Sequence, residues 1–192
     1  MTAQRKKIVM FAIFTIILAT FDFTTKQIIV STMETFQTIP IFGDVFGLYL
    51  IYNTGALFSF DPSAHIPFIT NAHFFLTFTI IALFLLSWFV VRLDYAKQKL
   101  LFWAAVFICA GAIGNGIDRV IRPDSGVVDF FMVNLGFRLG PIPFDPWPIF
   151  NFADIFVNVG IGLFILDSIL ESKREKKLKK ESVENDNETN NI

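Results

Sequence analysis

The sequence predicts a membrane protein, mainly α-helical, in which four transmembrane helices carry a strand-rich outer loop and a second, extended outer loop. Three observations predict it. Four apolar stretches are each long enough for a helix to cross a hydrocarbon core, which takes roughly 20 residues. Lys and Arg are concentrated at the chain start, in one short connection and after the last stretch. The segment after the first stretch is rich in aromatic and branched residues punctuated by Gly, Asn and Pro, the pattern of short strands with turns. Bulk composition agrees: 54% of the 192 residues are hydrophobic, 25 are Phe, and mean hydropathy is +0.58. That is too apolar for an ordinary soluble domain.

The first span covers Ile8–Val30 behind Arg5, Lys6 and Lys7. A cleaved signal peptide would begin in the same way. The apolar run, however, continues past Phe21 without a small-residue cleavage site, so a retained span that also directs insertion is expected. The strand-rich loop follows at about 31–65, with its strand-like residues from Phe36 to Phe60. The second span, Ile66–Val91, connects through the short stretch Arg92–Lys99 to the third, Leu100–Ile121. A second outer loop at about 132–149 carries Pro141, Pro143, Pro146 and Pro148 around Phe144 and Trp147, which predicts an extended apolar platform at the outer surface. The fourth span is Ile149–Leu170. Residues 1–171 thus form one membrane unit, and 172–192 a charged tail that begins as a helical extension and is expected to be disordered beyond Lys180.

Positive charge orients the spans. Arg5, Lys6 and Lys7 precede the first, Arg92, Lys97 and Lys99 fill the short loop, and Lys173, Arg174, Lys176, Lys177, Lys179 and Lys180 follow the last. Neither Lys nor Arg occurs between Lys26 and Arg92. Both termini and the short loop are therefore expected in the cytoplasm, with the long loops outside. Trp88 and Trp103 flank the short loop, where interfacial aromatics belong. A net charge of −1 argues against a nucleic-acid partner. Cys109 is the only cysteine, so no intramolecular disulfide or CxxC site forms, and it reads as packing. His65 and His73 have no partner pattern, and neither a metal nor an organic cofactor is implied.

The informative residues are the polar ones at membrane depth, which are costly there and usually functional. Asp22 and Lys26 lie four apart near the outer end of the first span, and Asn115, Asp118 and Arg119 share helical spacings near the outer end of the third. Asp129 follows that span, Asn151 and Asp154 open the fourth from the same side, and Asn53 lies in the outer loop. All gather at one membrane face. Structural readings stand beside functional ones: Asp22–Lys26 as a snorkelling ion pair, Asp118–Arg119 as a pair closing a helix end, and Asn151 as a helix cap. Asp154 resists such an account, since it interrupts an apolar run without an adjacent cation. Two neighbouring carboxyl groups cannot both ionise cheaply, so one keeps a proton while the other acts as base. That suits an aspartyl hydrolase, and equally a proton-coupled carrier, although a carrier should show polar groups toward the inner face and an internal repeat.

At these positions the chain resembles the lipoprotein signal peptidase (signal peptidase II) family, with five motifs in order between Asp22 and Asp154. Asp22-Phe23-Thr24-Thr25-Lys26 is similar to D-Q-x-T-K, with Phe23 for Gln. Asn53-Thr54-Gly55-Ala56-Leu57-Phe58-Ser59 resembles N-x-G-A-A-F-S, departing at Leu57. Gly111–Arg119 resembles G-A-x-G-N-L-I-D-R, with Gly116 for Leu. Val127-Val128-Asp129-Phe130 and Phe150-Asn151-Phe152-Ala153-Asp154 match V-V-D-F and F-N-x-A-D without loss. The resemblance implies four helices and a small periplasmic sheet, a multi-pass location in the bacterial inner membrane, and an active site on the periplasmic side. It implies an aspartyl endopeptidase that cuts diacylglyceryl-modified prolipoproteins just before the lipidated cysteine and is inhibited by the cyclic peptide globomycin. Asp129 and Asp154 would be the catalytic dyad. Asp22, Lys26, Asn53, Gly55, Asn115, Asp118, Arg119 and Asn151 would bind substrate or support the site. Membrane lipid is the other expected partner, and a monomer is expected.

Overall fold

Inside hydrocarbon a backbone must satisfy its own hydrogen bonds, so an apolar stretch of this length becomes a helix. The computed structural model describes residues 1–55, 70–134, 136, 138–139, 142–143 and 147–189, with the side chains of 138–139, 142–143, 180 and 183–189 left aside. Its elements are α1 (Ala3–Thr32), β1 (Thr38–Phe42), β2 (Phe46–Asn53), α2 (Asn71–Arg92), α3 (Lys99–Ile121), β3 (Val127–Val133), β4 (Arg138–Leu139), β5 (Ile142–Pro143) and α4 (Phe152–Thr189). All four helices are long and apolar enough to cross a membrane.

Helix α3 is the axis of the bundle. Half of its most apolar stretch is buried, against 17% in α1, 6% in α2 and 17% in α4. The cause is side-chain size, because in lipid small residues let backbones approach and gain contacts that lipid tails cannot match. Ala104, Ala105, Cys109, Ala110, Gly111 and Gly114 are all buried on α3. A Cβ on Gly111 would overlap the carbonyl oxygen of Ala153 and the side chain of Val157 in α4. One on Gly114 would overlap the Asp22 carboxylate of α1. Both glycines therefore stand where a neighbour needs the space, and Cys109 is a buried packing residue among them.

At the end of the bundle that carries the α2–α3 connection, buried Lys7 of α1 donates to the carbonyls of Leu93 (2.6 Å) and Val91 (3.2 Å), and Gln4 donates to Val91 (2.8 Å). These donors satisfy carbonyls that the end of α2 leaves unpaired. Beside them Val90, Leu93, Phe102, Ala105 and Val106 form one apolar cluster. At the opposite end, antiparallel strands lie in the order β1-β2-β3. The first two are the strands expected between Phe36 and Phe60. The third comes from the motif around Asp129, which does not alternate cleanly enough to announce a strand. Its register places Asn53 opposite Val127 and Ile51 opposite Asp129. Gly126 enters β3 at φ +88°, where an added Cβ would strike the Asn53 carbonyl, so this turn requires glycine. Ile29, Met33, Leu50, Val128 and Phe130 pack the sheet onto the end of α1.

Two features differ from the sequence expectation. Helix α1 begins at Ala3 and includes the basic triplet, with Thr2 accepting from the Arg5 N–H as its N-cap. Helix α4 continues to Thr189, past Lys180, where order was expected to end. The tail is polar but built of good helix formers, with ion pairs at helical spacing such as Glu171–Arg174 (3.8 Å) and Lys177–Glu181 (3.6 Å). Much of the Pro-rich loop, residues 56–59 of the second motif, and Asp61, His65 and Asp145 lie outside the described residues.

Gly111→Ala tests the axial role of α3. Its methyl must push α4 away, so a loss of about 1–3 kcal/mol is expected, read as a lowered Tm in detergent.

Candidate active site

Asp129 is the third residue of β3 and Asp154 the third of α4, so a strand and a helix start deliver the two carboxyl groups. Asn151 joins them. As the residue before α4, it accepts the Asp154 N–H on its Oδ1 (3.0 Å), while its own N–H donates to Asp154 Oδ2 (3.0 Å). This is a reciprocal capping box with Asp in the place usually held by Glu. Asn151 Nδ2 then donates to Asp129 Oδ1 at 2.6 Å, with Asn115 Oδ1 (3.1 Å) and the Val128 carbonyl (3.2 Å) also in reach. Capping and site roles therefore coincide in one residue.

The other oxygens are held as well. Asn53 Nδ2 donates to Asp129 Oδ2 (3.0 Å), and its Oδ1 accepts the Gly55 N–H (3.0 Å). Asn115 Nδ2 donates to Asp154 Oδ1 (2.9 Å). Asp129 is only 2% exposed. Burial, and next the neighbouring charge of Asp154, push its carboxyl up to about 7, against the opposing hydrogen bonds from Asn53 and Asn151. The helix dipole favours negative charge at the position of Asp154 in the first turn of α4. The two carboxyl groups thus sit in different surroundings, Asp129 buried on β3 and Asp154 in the first turn of α4.

Beneath the carboxyl groups lies a fully buried cation. Lys26 Nζ meets Asp22 Oδ2 at 2.8 Å, Asn115 Oδ1 at 2.9 Å and Asp118 Oδ2 at 3.0 Å, one acceptor for each of its protons. Each carboxylate it binds also holds a backbone N–H. Asp22 Oδ1 accepts from Ala153 (2.8 Å) and Asp118 Oδ2 from Val128 (3.2 Å). Ala153 and Val128 are the residues immediately before Asp154 and Asp129. The hub therefore fixes the backbone on which each carboxyl group is carried.

The Asp118–Arg119 pairing considered from the sequence is corrected. Asp118 turns inward to Lys26 and to Arg122, one turn along. Arg119 points elsewhere because adjacent helix positions are about 100° apart. Its guanidinium lies 4.8 Å from the Phe75 ring centre and donates to the Asn115 carbonyl (3.2 Å), with a long contact to the Gly55 carbonyl (3.5 Å). It also lies within Coulombic reach of both Asp154 and Asp129. Every candidate from Asp22 to Asp154 is thus brought into one cluster. Sequence reasoning missed Arg122 and Phe75. For Arg122 the signal was its i,i+4 spacing from Asp118, whereas nothing local marks Phe75. His73 lies apart and takes part in capping α2 with Thr70. Among the described residues no three His, Cys, Asp or Glu side chains converge as a metal site.

The family model described as "Signal peptidase (SPase) II" matches residues 14–170. The lipoprotein signal peptidase of Borrelia turicatae (strain 91E135) is 34% identical over 179 residues, which is 93% of this chain and all of that protein. That of Treponema denticola is 36% identical over 170 residues, covering 86% and 91% of the two chains. A bacterial membrane enzyme solved by the in meso method at 2.3 Å resolution superposes with a TM-score of 0.69 at 27% identity. The match covers 86% of this chain and 90% of that one.

Lys26→Met tests the hub apart from chemistry. It leaves two buried carboxylates without their shared cation, so a loss of about 3–5 kcal/mol is expected, read by thermal unfolding. An unchanged Tm would show that the hub does not hold the structure.

Proposed function

The chain belongs to the signal peptidase II family, and from that membership we propose that it removes signal peptides from bacterial prolipoproteins, cutting just before a diacylglyceryl-modified cysteine. It is an aspartic peptidase, and Asp129 and Asp154 are its dyad. The observation that carries this reading is that Asn151 grips both carboxyl groups, while burial and the neighbouring carboxylate raise Asp129 to about 7.

In this reading Asp129 holds the shared proton and Asp154 is ionised. Asp154 takes a proton from water as the water oxygen attacks the scissile carbonyl carbon. Asp129 gives its proton to the carbonyl oxygen, forming a tetrahedral diol. As the C–N bond breaks, Asp154 passes its proton to the leaving nitrogen, and Asp129 recovers one from a diol hydroxyl. One water is consumed and the dyad returns to its starting state. Asn53, Asn115 and Asn151 hold the carboxyl groups in line, and Arg119 holds the strand-end loop at Gly55 against α3. Asp22, Lys26 and Asp118 brace the backbone beneath.

The excess of Lys and Arg at the opposite end of the bundle supports placing both termini in the cytoplasm and the dyad at the periplasmic side of the inner membrane. There a diacylglyceryl group, anchored among membrane lipids, would hold the scissile bond at dyad level. A proton-coupled carrier is less well supported, because among the described residues the buried carboxylates all lie at the dyad end, and the buried charge at the other end, Lys7, is used on the carbonyls of Val91 and Leu93.

Asp129→Asn and Asp154→Asn are each expected to lower kcat on a lipidated precursor by about 10³-fold or more while the protein still inserts and binds globomycin. Normal cleavage by either variant would sink the assignment. The pH profile is a second test. Asp129 must be protonated, and its raised carboxyl keeps the proton below about 7. Activity should therefore fall as pH rises through about 7, and a rate that kept rising there would contradict the acid role.

A further inference from the structure

Helices α2 and α4 both pack on α3, and the strip of α3 surface between them runs from the dyad end of the bundle toward the opposite end. At the top it is flanked by Phe75 of α2 under Arg119, and by Asp154 of α4 against Asn115. Lower down it becomes an almost wholly apolar cavity of about 250 Å³ lined by Leu86, Phe89, Ala105, Ile108 and Phe164 among others. It then opens into a polar basin of about 610 Å³, with Leu101 and Phe164 lining both. The basin presents Asp94, Asp167, Glu171 and Glu175 against only Lys97 and Arg174. Those two cations have exposed partners in Asp94 (3.9 Å) and Glu171 (3.8 Å). Among the described residues neither Asp167 nor Glu175 is ion-paired. A negative basin is unexpected at the end of the bundle where positive charge is concentrated.

We infer that this strip docks the substrate's signal peptide, with the apolar cavity receiving its hydrophobic helix and the acidic basin its basic N-terminal segment. The inference rests on the peptidase reading and adds to it where substrate selectivity is set. Signal peptides carry a positive leading segment and then about 7–15 apolar residues, or roughly 10–22 Å as a helix. At 1.5 Å per residue, Leu101 lies about 21 Å along α3 from Asn115, and Asp167 about 20 Å along α4 from Asp154. Length, polarity and charge therefore agree with one occupant whose far end must reach the dyad.

The test uses purified protein and three lipidated substrates. These are a full precursor with a lysine-rich leader, the same precursor with those lysines replaced by glutamate, and a short lipopeptide spanning only the cleavage site. For Asp167→Lys combined with Glu175→Lys, KM for the lysine-rich precursor should rise about fivefold and KM for the glutamate form should fall. The short lipopeptide should be cleaved as by the unaltered protein. Phe164→Ala should raise KM for both precursors and leave the lipopeptide untouched. Unchanged KM values, or equal changes for both leader charges, would overturn the inference while lipopeptide cleavage still upheld the peptidase. If the unaltered protein cleaved none of the three, the peptidase reading itself would fall, and the inference with it.

Discussion

The buried ammonium of Lys26 is the constraint on which the rest of this structure depends. A lone ammonium at this depth would be costly, so three acceptors from two helices must converge on it, and they do so with every proton used. That convergence fixes α1 against α3. The same two aspartates then reach past the lysine to the N–H groups of Ala153 and Val128. Carboxyl groups carried on a strand and on a helix start have no intrinsic reason to stay in register. Here their preceding residues are tied to one cation. Precision in the carboxyl pair is thus inherited from backbone placement, with Asn151 and Asn115 supplying only the last adjustment.

Burying Asp129 carries a cost of its own. A carboxyl pushed up to about 7 is one the fold would hold more easily without its charge. The asparagines around it offset part of that cost by donating to both oxygens. Function and stability thus pull in opposite directions at this position, which is common where a site is arranged for chemistry.

Much of this was legible in the sequence because membranes impose simple rules. Apolar length located all four helices, although α1 starts at Ala3, before the apolar run, and α4 runs on past Leu170 into the polar tail. The grouping of Asp22, Lys26, Asn53, Asn115, Asp129, Asn151 and Asp154 at one end of the bundle followed from their places along the spans. What stayed hidden was the choice among partners. Asp118 had Arg119 beside it, Arg122 one turn away and Lys26 on another helix, and only packing selects the last two. The strand at Val127 was also hidden. Its pairing with β2 is a long-range contact, and its inward and outward faces are both largely apolar. For the tail the sequence suggested a helical extension before a polar end, and good helix formers with pairs at i,i+3 and i,i+4 carry α4 on to Thr189.

The spacing of the buried charges also bears on how the chain enters the bilayer. Asp22 with Lys26, and Asp118 with Arg122, are each four residues apart on a single helix. Each pair can therefore form within its own segment, which offsets much of the insertion penalty of about 2.5–3.5 kcal/mol that one unpaired charge at the centre of a helix would carry, while Arg119, among the described residues, remains as an unpaired charge at the end of α3. Only after α3 lies beside α1 does Lys26 gain Asp118, and only when α4 arrives does Asp22 find the Ala153 N–H. Pairs within one helix need no partner helix, whereas the bonds of Lys26 to Asp118 and of Asp22 to the Ala153 N–H need α3 and α4 in place.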